Sequence, residues 1–416
     1  MRTPERITRP ELLCPAGDME QLEAAILYGA DAVYLSGKEF NLRAGSQGFD
    51  EHTLPKALKL AHNAGVHVYY CLNALPRQHD LRALETVLER LSSMSNQPDA
   101  LIVADPGVIS LARKRCPHMP LHLSTQANTT NALSAAFWKD QGVCRVNLAR
   151  ELDLTGIKAI ARRCPDVELE VFVHGAMCLA VSGQCLLSAW LNARPANLGR
   201  CTHPCRFEYR AISLGVEEKT RPGSLLWEAL REAPGYSTLW APEDLCLIKY
   251  VRWFAKNGIR ALKIEGRMKS GGYTAHVVDA YRTALDALGR KPSLAHKEYL
   301  AELANTASRP MGTGFFLPGG KRALYPMPAC EQRKPVIAKI LEKQKPGVWS
   351  VHVRSRWDAR KPIEIMAPGM HRPVLAPDAY TLENHRGERR LELHPGLIAT
   401  LYAENTFLMP GLYLRA

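Results

Sequence analysis

No run of about 20 apolar residues, the length a helix needs to cross a bilayer, occurs in this chain. The opening stretch MRTPERITRPELL is charged throughout and lacks the apolar segment of a secretory leader. The 11 cysteines are odd in number, and most are scattered singly, which speaks against a disulfide framework. A soluble protein of the reducing cytoplasm is therefore expected. Three catalytic signatures are also missing. There is no H-E-x-x-H zinc helix and no G-x-S-x-G nucleophile elbow, so a hydrolase would need another constellation. No G-x-G-x-x-G turn follows the first strand candidate, which argues against an open dinucleotide-binding sheet. Low-complexity tracts are absent too.

Positive charge, by contrast, is plentiful. The formal net charge is +13 over 416 residues, a balance that attracts polyanions, among which nucleic acid is the commonest inside a cell. Arg194, Arg200, Arg206 and Arg210 crowd one segment, and Arg267 and Lys269 stand close together in another. A basic surface is equally a solubility device, so charge alone leaves RNA binding open.

From residue 11 to about 290 the chain alternates short β-type runs with amphipathic helical patterns. Eight strand candidates stand at 11–17, 32–37, 66–75, 100–105, 121–128, 145–151, 169–177 and 261–267. That count and span predict a TIM-like (β/α)8 barrel over residues 1–290. The surplus length falls after the seventh strand, at 178–240, and reads as an insertion placed over the barrel mouth. The segment DLCLIKYVRWFAKNG at 244–258 reads as a helix leading into the eighth strand, and 271–289 as the final helix. Proline and glycine then mark 291–330 as a linker. Six short β-type runs from 331 to 416 predict a small C-terminal β-barrel domain.

Four cysteines, Cys178, Cys185, Cys201 and Cys205, gather within the predicted insertion. Thiolate sulfur is soft, and such a set suits a structural zinc or an iron-sulfur cluster rather than an oxygen-liking cation. Only Cys201 and Cys205 resemble a zinc knuckle, and the wide, irregular spacing of the rest is easier to reconcile with 4Fe-4S. Spacing alone leaves both metals open, along with the reading of four plain buried thiols.

In a TIM barrel the working residues sit at the C-terminal ends of the strands. Ser36, Asn73, Gln126, His174, Lys263, Glu265 and Arg267 all fall near such ends, and Arg43 lies in the glycine-rich loop after the second strand. We expect Ser36, Arg43, Asn73 and Gln126 to bind substrate. His174, Lys263, Glu265 and Arg267 are the catalytic candidates, holding a proton or a carboxylate, because arginine presents a planar fork to such groups. Lys263 and Glu265 alternate along one strand face, so they are expected either to pair with each other or Arg267, or to meet a ligand.

EVFVHGAMCLAVSGQCLLS at 170–188 resembles the signature of peptidase family U32, and ELLCPAGDMEQLEAAILYGADAVYLSG, GRCTHPCRFEY, PEDLC, LKIEGRMKS and NTASRPMGTGFF resemble other segments of it. The family name implies collagenase-like proteolysis. Its better-understood relatives imply iron-sulfur proteins that hydroxylate RNA bases or small aromatic molecules. EKTRPGSLLW at 218–227 and APEDLC at 241–246 point to the branch that hydroxylates tRNA uridine with prephenate as co-substrate. The resemblance implies a 4Fe-4S cluster on Cys178, Cys185, Cys201 and Cys205, with Cys246 as a substitute ligand for one of the second pair. It further implies tRNA or other RNA and a small carboxylate as partners. An endopeptidase and a noncatalytic RNA-binding protein with structural zinc are the rival readings.

Overall fold

The computed structural model of the chain describes residues 8–43, 47–207, 243–289, 295–326, 328 and 333–416, with the backbone alone of 208–209, 216–217, 225–227 and 237–238. Seven parallel strands, β1 (Glu11–Pro15), β2 (Ala32–Leu35), β3 (His67–Leu72), β4 (Ala100–Val103), β5 (Leu121–Leu123), β6 (Val143–Asn147) and β7 (Glu168–Ala176), pair in chain order. An eighth strand, Ala261–Ile264, closes the ring by pairing in parallel with both β1 and β7, at Glu11↔Ala261 and Ala261↔Glu170. The expected (β/α)8 barrel is thus present. Its strands are short and apolar because they are covered on both sides: AVYL in β2 and ALIV in β4 are buried at every position.

Helices α1 (Met19–Leu27), α2 (Leu54–Asn63), α3 (Leu81–Ser93), α4 (Pro106–Arg115), α5 (Ala132–Asp140) and α6 (Leu154–Arg163) each follow the strand of the same number. Asp18, Asp105, Asn131 and Asp153 stand just before four of them and accept hydrogen bonds from their first free backbone N–H groups. The main core lies between helices and barrel. Inside the barrel a smaller apolar plug, with Leu13, Tyr34, Tyr69 and Ile102, fills one side. The other side is ionic: Arg145 binds Glu11 and Glu168 at 2.7 Å, and Lys263 binds Glu170 at 2.7 Å.

Two expectations need correction. The DLC segment is no helix: Asp244–Cys246 is a strand lying antiparallel to the far end of β7, with Asp244↔Ala176 and Cys246↔His174. β7 has nine residues and overshoots the barrel, so its extension offers a free edge that captures these residues. The helical spacing survives only in α8 (Val251–Lys256), which follows the short α7 (Leu187–Asn192) of the insertion and precedes α9 (Gly271–Asp286). Nor is 291–330 a plain linker. It contains α10 (His296–Ala304) and strands Met311–Gly312 and Leu324–Tyr325, which continue the sheet from Asp244–Cys246. Edge pairing overrides the proline and glycine signals there.

The C-terminal unit is an antiparallel seven-stranded sheet built around the hairpin Val336–Lys345 and Val348–Val353. Its outer strands, Val374–Leu375 and Thr381–Glu383, do not pair with each other among the described residues, so it is an open half-barrel. It docks on α9 and α10 through charge. Asp279 of α9 is fully buried and accepts from the N–H of Gly369 at 2.7 Å and from Arg372 at 2.7 Å, while Glu302 of α10 takes Arg372 and Arg415. Among the described residues no helix is long and apolar enough to cross a membrane.

Candidate active site

A cavity of about 110 Å³ opens at the C-terminal end of the barrel. Its floor carries Tyr34, Phe172 and Lys263, its walls Asn73, Ser124, Asn147 and Glu265, and its rim all four clustered cysteines. The insertion forms this rim because several bonds hold it down. Ser182 donates its N–H and hydroxyl to the Glu151 carboxylate at 2.7 and 2.9 Å, and the N–H of Leu75 donates to Asn197 O at 3.3 Å. Ser188 of α7 is buried and its oxygen accepts from the N–H of Thr202 at 3.0 Å, tying the helix between the cysteine pairs to the second pair.

The four thiols share one neighbourhood. Burial raises Cys205, Arg206 opposes this, and Cys178, Cys201 and Cys185 each push it further up. The backbone N–H groups of Leu187 and His203 donate to the sulfurs of Cys185 and Cys201 at 3.4 and 3.3 Å, the kind of contact that orients and tunes a metal-bound sulfur. Among the described residues no three His, Cys, Asp or Glu side chains converge closely enough to hold one ion. All four sulfurs line the same cavity, and as soft donors they fit a thiolate-bound metal, zinc or iron-sulfur, rather than an oxygen-liking cation. Cys246 does not join them. It is fully buried in its strand beside β7, and burial raises its thiol to about 12 against the opposing hydrogen bonds of the Ile248 backbone and Tyr281.

Below the thiols lies an excess of positive charge. Arg43 binds Glu265 at 3.0 Å, and Arg150 stands 3.9 Å from the same carboxylate with its guanidinium 3.9 Å over the Phe172 ring. Burial opposes ionisation of Glu265, yet Arg43, Arg150 and Arg267 bring its pKa down to about 2. Lys263 does not pair with Glu265 as one expectation had it, but with Glu170, and it sits 4.5 Å over the Tyr34 ring. Arg267 is buried, donates to Ser36 Oγ at 2.7 Å, and has no carboxylate at ion-pair distance among the described residues. Arg43, Arg150, Lys263 and Arg267 all line the cavity, with Glu265 on its wall and Glu170 held by Lys263. Four cations against two carboxylates can take an anion.

Of the residues anticipated from sequence, Arg43, Asn73, Gln126, Lys263, Glu265 and Arg267 all line the cavity. Ser36 stands behind it and acts through Arg267. His174 is not among the residues that line it. A β-bulge pairs Lys263 with Phe172 and Ile264 with His174, leaving Val173 as the extra residue, so the side-chain alternation changes phase. His174 packs instead against Tyr281 and Tyr273, at ring distances of 5.6 and 6.2 Å. Burial brings its pKa down to about 3, Lys269 adding to the effect, so it is neutral and far from proton exchange near pH 7. Sequence reading missed Arg150, although it lies near the end of the sixth strand candidate at 145–151, and Asn147, which ends the observed β6 but stands early in that candidate. The buried Asn147 Oδ1 faces the cavity region without a partner, as a group awaiting a ligand would. EKTRPGSLLW falls almost wholly outside the described residues, as do Arg210 and most of the remaining insertion.

A closed (β/α)8 barrel with a cationic pocket at its C-terminal mouth and a cysteine-bearing loop folded over that pocket defines the class of protein. Residues 17–323 match the model of peptidase family U32, and the chain belongs to that family. Similar to it is the tRNA hydroxylation protein P of Escherichia coli (strain K12), 37% identical over 70% of this chain and 73% of that protein. The 23S rRNA 5-hydroxycytidine C2501 synthase of the same organism is 33% identical over 67% of this chain and 40% of its own length. A protein named collagenase from Porphyromonas gingivalis (strain ATCC BAA-308 / W83) is 30% identical over 74% of this chain and 73% of its own.

Proposed function

We propose that this protein is an RNA-modifying enzyme that hydroxylates a pyrimidine, a uridine of the tRNA anticodon loop being the specific target. The observation that carries the reading is the cavity itself: a pocket with surplus cationic charge under four thiols, in a chain similar along most of its length to a tRNA hydroxylation protein. Cys178, Cys185, Cys201 and Cys205 would hold a 4Fe-4S cluster. Bound there, the cluster would supply electron transfer or polarise an oxygen donor. The chain's own residues do the rest. Arg267, oriented by Ser36, and Arg150, flat against Phe172, would hold the carboxylates of a small co-substrate such as prephenate. Glu265 keeps the arginines apart in charge and fixed in place. Asn147 would read a donor on the reacting molecule. The basic surface would grip the RNA backbone.

The test compares tRNA nucleosides by mass spectrometry between a strain lacking the gene and a complemented one. Loss of hydroxylated uridine on deletion, and its return with the wild-type but not the Cys178→Ser chain, is expected. Unchanged hydroxyuridine removes the proposed target. Anaerobic purification with iron, sulfide and zinc analysis tests the cluster separately, and zinc without iron would replace it with a structural site. Proteolysis is the second reading, favoured by the collagenase-named relative. The cavity offers it little, since Ser124 is bonded to Asn73 at 3.3 Å rather than to a histidine.

A further inference from the structure

The short helix α7 is turned inside out with respect to water. Its one fully buried side chain is Ser188, while Leu186 just before it and Trp190 and Leu191 on it are 79%, 86% and 50% exposed. A single exposed apolar residue is ordinary, but a tryptophan flanked by Leu186 just before the helix and Leu191 on it is a surface with a use. The inner side of the same helix serves the cavity: Leu187 lines it, and Cys185 precedes the helix by two residues. Leu187 and Trp190 are three residues apart and so neighbours on the helix surface, which sets the Trp190 indole beside the rim of the pocket.

Charge tells what would cover it. At the end of α7 the chain turns through Ala193 in a left-handed conformation, and the N–H of Arg194 donates back to Ser188 O at 3.3 Å, so Arg194 stays against the helix. Arg194 and Arg200 are both exposed, and neither is paired with a carboxylate among the described residues. An aromatic face rimmed by free guanidinium groups matches single-stranded nucleic acid, which offers a π-face and a phosphate together. From Leu186 to Arg200 the sequence holds no acidic residue, so a protein partner would find only positive charge and the amides of Asn192 and Asn197 here.

We propose that Trp190 is a base-stacking platform, flanked by Arg194 and Arg200 as phosphate contacts, for a nucleotide next to the one that enters the cavity. The assignment rests on the RNA reading above. A base taken into the pocket leaves its stack, and its neighbour loses a partner that the indole replaces.

The experiment measures binding of a fluorescently labelled tRNA anticodon stem-loop to the full chain by anisotropy over a salt series. Trp190→Ala should weaken binding by about 10- to 100-fold, the range seen for one stacked base. Trp190→Phe keeps the π-face and should stay within about threefold, whereas Trp190→Leu keeps apolar area alone and should behave like alanine. Arg194→Ala with Arg200→Ala should flatten the salt dependence by up to about 1.4 units of slope, about 0.7 per phosphate on a single strand. Thermal melting checks that each variant is folded. If Trp190→Leu binds like wild type, the contact is not stacking. If Trp190→Ala binds normally while the arginine variant is weakened, the platform is wrong and the RNA reading stands. If the wild-type chain itself ignores the stem-loop, both fall. A wild-type dimer that Trp190→Ala converts to monomer, with RNA affinity intact, would make this face a contact between copies and overturn the proposal.

Discussion

At the scale of the residue, Glu265 is the keystone of the cavity's electrostatics. Arg43, Arg150 and Arg267 all lower its pKa, and it stays ionised through the whole physiological range. Glu265→Gln leaves three guanidinium groups in a buried pocket with too little negative charge. We expect a loss of about 3–5 kcal/mol in urea unfolding, the usual consequence of removing one partner of a buried ion pair. A dicarboxylate should then raise the melting temperature of the variant more than that of wild type, because it supplies the missing charge. An equal shift in both would show that the anion binds elsewhere. Arg267 gives the complementary prediction. Its fork bonds Ser36 and leaves the remaining N–H groups for a ligand. Arg267→Lys keeps the charge but loses the bidentate geometry, so the KM for a carboxylate co-substrate should rise about tenfold or more, with tRNA affinity unchanged. Most of these residues were legible from one rule, polar groups at strand ends, which found Glu265, Lys263 and Arg267 together. Their partnerships were not, because pairing depends on which strands are adjacent across the barrel: Glu170 and Arg150 are far in sequence from Lys263 and Glu265.

At the scale of the element, β7 is where sequence periodicity fails for a physical reason. Phe172 and His174 are two apart and share a face in any regular strand. The bulge at Val173 separates them, sending Phe172 to the cavity and His174 to α9. Just beyond, Gly175 has φ +106, and a Cβ there would lie 2.7 Å from Glu265 O. Both features let β7 leave the barrel and pair with Asp244–Cys246 while the eighth strand passes close by. Gly175→Ala should therefore cost at least about 1–3 kcal/mol from the backbone conformation alone, with the clash added, and should disturb the Glu265 carboxylate. Urea unfolding and dicarboxylate affinity check it; a variant as stable as wild type would mean that the strand pair relaxes freely. No spacing rule reveals a bulge, since bulges answer to the register of a neighbouring strand. The same holds for DLC, whose helical pattern lost to an open β edge.

At the scale of the whole molecule, repeated alternation and length made the barrel legible, while the docking of the two units was hidden. It depends on charged residues such as Asp279, Glu302, Arg372 and Arg415, which single-chain patterning assigns to surfaces. His276 lies in that interface with Nδ1 donating to Gly272 O at 2.9 Å and Nε2 set to accept from Arg415 at 3.2 Å, an arrangement only the neutral ring can make. Burial brings its pKa down to about 4, with Arg415 and Arg372 working against the carboxylate of Glu302. His174 is brought down to about 3, chiefly by burial, and burial likewise holds His122 well below its ordinary value. Glu302 is itself lowered to about 2, by Arg372 and Arg415, against the opposing effect of burial. The sign follows from comparing states. Above pH of about 6.5, the unperturbed histidine value, both folded and unfolded chains carry these rings neutral. As pH falls below it, the unfolded chain takes up protons that the folded one refuses, so stability is lost between about 6.5 and 4, and further as the lowered carboxylates titrate. Asp279, raised by burial, works the other way, its contribution being lost as pH rises through its folded pKa. The urea midpoint should be flat from pH 8 to about 7 and fall steadily below 6.5, and His276→Gln, which can still bond Gly272, should fall less steeply. A midpoint unchanged between pH 7 and 4.5 would mean that the histidines open to water before the fold does, and that the interface is not locked by a neutral ring.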